Sequence, residues 1–142
     1  MKAKPHKTIL LIDENEDHLE LEMDALSASE IACDIKGVPS SKKAKDYLLY
    51  NIPSPFHSLY HKPNLIFLDA KKPKIDGFKL LEWLKSNNRL NRIPVILLAT
   101  SFNQEDIKRG TELGAYDYIE KPLTPENVKE KLIKMGFIAK TK

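Results

Sequence analysis

Four consecutive apolar residues, Leu65, Ile66, Phe67 and Leu68, run directly into a carboxylate, Asp69. A strand with no polar alternation has to be buried on both faces, and such strands lie at the centre of parallel sheets covered by helices. Asp69 then stands at the carboxyl end of a central strand, where open α/β sheets put their binding and chemistry. The alternative is that Asp69 only caps a turn, and the rest of the chain has to decide between the two.

A second apolar run, Thr8 to Ile12, ends in Asp13-Glu14. Asn15 is a helix cap for a stripe of Leu19, Met23 and Leu26. Ile31 to Ile35 reads as a short strand, and Ser40 or Ser41 caps a helix from Lys42 to about Tyr50 with Ala44 and Leu48 inward. The segment from Ile52 to Pro63 carries Pro53, Pro55 and Pro63 and reads as a long loop, with Phe56, Leu59 and Tyr60 expected to fold back over the domain. Gly77 opens a helix bearing Leu80, Leu81 and Leu84. Pro94 to Leu98 is a fourth strand leading into Ala99-Thr100-Ser101, and Ser101 with Gln104 resembles a capping box for a helix from Glu105 to Glu112. Ala115 to Ile119 is more polar, as an edge strand would be. Thr124-Pro125 starts the last helix, whose stripe is Val128, Leu132 and Met135.

Strand followed by helix, five times over, predicts an α/β fold: a doubly wound five-stranded parallel sheet with right-handed crossovers. The length of 142 residues suits one domain. At 42% hydrophobic and 30% charged the chain is of ordinary soluble composition, without a membrane span or signal peptide, so a cytoplasmic location is expected. The single Cys33 excludes a disulfide framework and a cysteine metal site, and is read as a small buried hydrophobe. A net charge of +3 from 23 basic and 20 acidic residues is too balanced to suggest nucleic acid as a partner.

In such a sheet the strand ends bring Asp13, Glu14 and Asp69 to one edge, together with Lys121-Pro122. Grouped hard oxygens are what Mg²⁺ or Mn²⁺ binds, leaving coordination places for water and a phosphoryl oxygen. A nearby lysine can neutralise further phosphoryl oxygens, and a carboxylate can itself accept the group as an aspartyl phosphate. An ion-pair network at a strand rim would use the same residues, and from these residues alone it stays open.

Taken in order, five stretches resemble the receiver domain of two-component response regulators. They are Ile-Leu-Leu-Ile-Asp-Glu from Ile9, the Leu-Asp-Ala-Lys-Lys-Pro-Lys-Ile-Asp-Gly around Asp69, Arg-Ile-Pro-Val-Ile-Leu-Leu from Arg92, Leu113 to Tyr118, and Ile119 to Leu123. Each piece is weak alone, and the combination spans Ile9 to Met135. The long loop and the wording around Asp69 are similar to the stand-alone receivers associated with bacterial phytochrome kinases.

The resemblance implies a flavodoxin-like topology, with a receiver over residues 8–136, terminal extensions at 1–7 and 137–142, and no output domain. It makes Asp69 the phosphoacceptor for a sensor histidine kinase, and Asp13 and Glu14 the acidic pair that positions a weakly bound Mg²⁺ or Mn²⁺. The Lys71 backbone carbonyl would be a further ligand, Lys121 would contact the phosphoryl group, and Pro122 would follow a cis peptide bond. Ala99, Thr100 and Tyr118 fall at the switch, Tyr118 at the aromatic position that changes rotamer. The implied role is a signalling phosphoprotein that assists its own phosphoryl transfer and passes its state to a downstream protein. Neither direct nucleic-acid nor membrane binding is implied, and a homodimer is left open.

The chain also departs from the pattern. The hydroxyl position, five residues after Pro94 and twenty-two before Lys121, is Ala99 rather than Thr100. The residue after it on a regular strand would point to the opposite face. Glu14 stands where aspartate is usual, and Lys71 and Lys72 replace commonly neutral residues. The alternative reading is therefore a degenerate receiver serving as a phosphorylation-independent scaffold. An aspartyl-phosphate hydrolase is disfavoured because it wants an acid where Lys71 stands. Flavin binding is disfavoured because the first strand ends in Asp13-Glu14 rather than in a phosphate loop.

Overall fold

The computed structural model describes residues 7–49, 62–70 and 77–138. The elements in chain order are β1 (Lys7–Ile12), α1 (Glu16–Ala28), β2 (Cys33–Val38), α2 (Ser41–Leu49), β3 (Leu65–Asp69), α3 (Gly77–Ser86), β4 (Val95–Ala99), α4 (Gln104–Glu112), β5 (Asp117–Glu120) and α5 (Pro125–Lys134). The five strands form one sheet in the order β2-β1-β3-β4-β5, every neighbouring pair parallel. All five residues of β3 and of β4 are buried, as strands covered on both faces must be.

One apolar layer gathers Leu10, Ile12, Ile66 and Leu68 with α2 and α3, and the other gathers Ile9, Leu11, Leu65 and Phe67 with α1 and α5. Successive side chains of β1 and β3 therefore feed opposite layers, which fixes their register and the position of their ends. At the Asp69 end, Gly77 opens α3 hard against β3. A Cβ there would lie 2.4 Å from the Asp69 carbonyl oxygen and 2.6 Å from Ala70 Cα, so only glycine lets the helix start this close. Among the described residues no helix is long and apolar enough to cross a membrane.

Several boundaries differ from the sequence reading. The second strand is Cys33–Val38 rather than Ile31 to Ile35, because Glu30 turns the chain at φ 58° and pairing then follows β1 from Lys7↔Cys33 to Ile12↔Val38. Cys33 is half-buried rather than fully interior. Helix α4 is capped by Asn103, whose side chain accepts the Asp106 amide at 2.8 Å while Asp106 accepts the Asn103 amide at 3.1 Å. That reciprocal pair takes the place expected for Ser101 and Gln104. Gly114 turns at φ 99° and delays β5 to Asp117, two residues later than expected, and β5 is the sheet edge. Met135 is the C-cap of α5 and only partly buried, packing against the same core as the fully buried Val128 and Leu132. The 52–63 loop lies outside the described residues apart from Lys62 and Pro63.

Candidate functional site

Because Ile12 pairs with Leu68, the next residues along the two strands, Asp13 and Asp69, come out side by side at the carboxyl edge. Both are buried, at 0% and 1% exposure. Lys121 follows β5 on the far side of β4. Its amide donates to the Ala99 carbonyl at 2.8 Å, anchoring the residue on β4. Its Nζ donates to Asp13 Oδ2 at 2.6 Å and to Asp69 Oδ2 at 3.2 Å. The Lys121-Pro122 peptide is cis.

A third carboxyl group joins this ammonium that sequence reading missed. Glu22, on α1, is 3% exposed, and its Oε2 lies 3.3 Å from Lys121 Nζ. The signal was there: Glu22 stands three residues after Leu19 and four before Leu26, on the stripe expected to be apolar. The helix is held in place by Asn15, whose side chain accepts the His18 amide at 3.0 Å, and His18 Nδ1 comes 3.4 Å from Lys121 Nζ.

The cluster sets its own protonation. Burial pushes the Asp13 carboxyl up, but hydrogen bonds from Lys121, from Glu22 and from the Asn15 amide more than offset this and hold it below the ordinary aspartate value. Burial, with the Asp13 charge and hydrogen bond beside it, pushes Glu22 up to about 8, and Lys121 only partly relieves this. Burial and the neighbouring Asp13 thus hold Glu22 back from ionising. Burial alone would lower the Lys121 ammonium, but the Asp13 hydrogen bond and the surrounding carboxylates raise it instead, so it stays charged.

Glu14 is half-buried beside Asp13, and Lys71 lies outside the described residues. Among the described residues no three His, Cys, Asp or Glu side chains converge in metal-binding geometry. What the donor set does offer is two hard oxygens, on Asp13 and Asp69, with the Lys121 ammonium between them, and this chemistry suits a small divalent cation and a phosphoryl group. Ala99 is the last residue of β4, 2% exposed. Thr100 is exposed beyond the strand end, where alternation no longer governs its direction, and with His18, Leu21, Glu22, Lys121, Pro122 and Leu123 it lines a cavity of about 230 Å³. Tyr118 is 38% exposed, its ring 5.3 Å from that of Phe102 and tilted by 52°.

Residues 9–133 match the response regulator receiver domain family. The chain belongs to that family. Over 129 residues the receiver is 33% identical to the probable methanogenesis regulatory protein FilR2 of Methanothrix harundinacea, covering 91% of this chain and 81% of that one. It is 32% identical over 125 residues to the response regulator Rcp1 of Synechocystis, covering 84% of this chain and 80% of Rcp1. Among solved structures it is similar to the phosphorylated cyanobacterial phytochrome response regulator RcpA, with 29% identity, a TM-score of 0.75, and coverage of 96% of this chain and 98% of that one. It is also similar to the Mn²⁺-bound form of Rcp1, with 28% identity, a TM-score of 0.72, and coverage of 96% and 97%. The receiver is thus a two-component signalling module of flavodoxin-like topology, of the kind that accepts a phosphoryl group and signals through it.

Proposed function

We propose that Asp69 is the phosphoryl acceptor of this receiver, that Asp13 and Asp69 hold a divalent cation weakly, and that Lys121 neutralises the transferred group. The observation that carries this reading is the Lys121 ammonium, bonded at once to Asp13 at 2.6 Å and Asp69 at 3.2 Å on the edge of the sheet. An Asp69 oxygen attacks the phosphorus of a phosphohistidine on the sensor kinase. The P–O bond to Asp69 forms as the P–N bond breaks, and the imidazole nitrogen leaves with the electron pair and takes up a proton from water. Burial of Asp69 keeps its carboxylate poorly solvated, and Lys121 stands within hydrogen-bond distance to stabilise the new charge. Bound Mg²⁺ or Mn²⁺ would neutralise phosphoryl oxygens, with Glu14 and the Lys71 carbonyl completing its ligands.

The receiver unit is residues 8–136, with 1–7 and 137–142 as extensions. It works in the cytoplasm, without catalytic turnover of its own, between a histidine kinase and a downstream protein that reads the surface around Thr100 and Tyr118, over the buried Ala99. Similarity to Rcp1 and RcpA supports a kinase of the phytochrome class as donor. The test is intact mass after exposure to a small phosphodonor with Mg²⁺. One added phosphoryl group in the wild type, and none in Asp69→Asn, is expected. An unchanged wild-type mass, or labelling that survives in Asp69→Asn, would overturn the assignment.

A further inference from the structure

The Lys121 ammonium is bonded to one oxygen of Asp13 and one of Asp69, so a cation held by the same two carboxylates would compete with it for their charge. Its side chain is only 6% exposed, and a charge displaced from Asp13 without a new acceptor would be left buried and unpaired. One carboxyl group stands ready. Glu22 is within ion-pair distance of Lys121 at 3.3 Å, and among the described residues neither of its buried oxygens has a hydrogen-bond partner. The cavity that Glu22 and Lys121 both line gives the ammonium room to move. The helix that carries Glu22 is fixed by the Asn15 cap at one end and by buried Ala25 and Leu26 beyond it.

We infer that Glu22 is a positioning residue for Lys121: it receives the ammonium when a divalent cation takes over Asp13, and so keeps the lysine charged and near Asp69. Glu22 touches neither the cation nor the phosphoryl group and acts only through Lys121. The inference rests on the cation site proposed at Asp13 and Asp69.

The experiment is a double-mutant cycle on Mn²⁺ affinity, read from the free-ion EPR signal at one fixed pH. Glu22→Leu and Glu22→Gln are each made with Lys121 present and in Lys121→Met, alongside Asp13→Asn. Glu22→Leu is expected to weaken Mn²⁺ binding by about fivefold or more, Glu22→Gln by less because its amide oxygen still accepts, and both to fall within about twofold of their reference in the Lys121→Met background. A loss of the same size without Lys121, or no loss with it, overturns the inference. A second reading needs no substitution: in ¹⁵N-lysine-labelled wild type, saturating Mg²⁺ should shift the Lys121 Nζ resonance while leaving it protected from exchange. An unshifted resonance, or one lost to exchange, overturns it too. Binding that ignores Asp13→Asn defeats the cation site itself, whereas binding that needs Asp13 and ignores Glu22 defeats this inference alone.

Discussion

Replacing Glu22 by glutamine should change how stability depends on pH more than how the protein folds. In the folded receiver the Glu22 carboxyl is pushed up to about 8, against an ordinary 4.5. A raised folded value means that the folded state holds its proton longer than the unfolded chain. The stabilising contribution of protonated Glu22 is then fully present below pH 4.5 and is lost as pH rises towards 8. The slope is about 1.4 kcal/mol per pH unit, so the interval of about 3.5 units between the two values gives an upper limit of about 5 kcal/mol. The lowered Asp13 works in the opposite sense, its contribution being lost only as pH falls below the ordinary aspartate range, so it leaves this window clear. Glutamine fits the same space and does not titrate. Urea unfolding of wild type and Glu22→Gln at pH 5, 6, 7 and 8 should show the variant gaining relative stability with every unit, the gain levelling off above pH 8. Parallel curves, or a variant that loses ground as pH rises, would show that Glu22 carries no trapped proton and that the account of the cluster is wrong.

Ala99→Thr puts a hydroxyl at a buried position and should cost the resting receiver about 1–3 kcal/mol, while enlarging the response of α4 and Tyr118 to a phosphoryl mimic in NMR spectra. Thr100→Ala should leave that response intact; the reverse result would make Thr100 the working hydroxyl. Gly77→Ala drives a methyl group into the Asp69 carbonyl and Ala70 Cα, and a loss of about 1–3 kcal/mol in denaturant unfolding is expected, with the Ala70 amide, which bonds Leu98 at 2.8 Å, shifted in NMR spectra. Unchanged stability there would mean that α3 can back away from β3 freely.

Much of this architecture was legible because burial on both faces leaves a plain mark. The unbroken apolar runs at the centres of β1, β3 and β4 located the middle of the sheet, and the residues just past them had to be at its edge. Asn15 and Thr124 announced helix starts, since an unsatisfied first turn recruits short polar side chains. Strand β2 begins two residues and ends three residues later than expected because its exposed, alternating face carries little apolar signal, and its limits are set by β1 rather than by its own residues. Asn103 prevailed over Ser101 because the competing caps differ only in which reciprocal pair closes, a matter of backbone geometry. Glu22 escaped notice for a different reason: periodicity assigns charges to the solvent side, and a buried acid is intelligible only once Lys121, 99 residues away in the chain, is known to be beside it.

One consequence of the Lys121 arrangement concerns mechanics rather than charge. From its amide on the β4 carbonyl to its Nζ on the carboxylates of β3 and β1, this single residue laces four neighbouring strand ends together, and through Glu22 it reaches a helix on one face of the sheet. Edge strands ordinarily fray on their own, but here β5 is tethered across the top of the sheet by a side chain anchored on the carboxylates proposed as the phosphoryl site. A change at those carboxylates is expected to loosen or tighten the strand furthest from β2, and hydrogen exchange at Tyr118 and Ile119 would read it from two strands away.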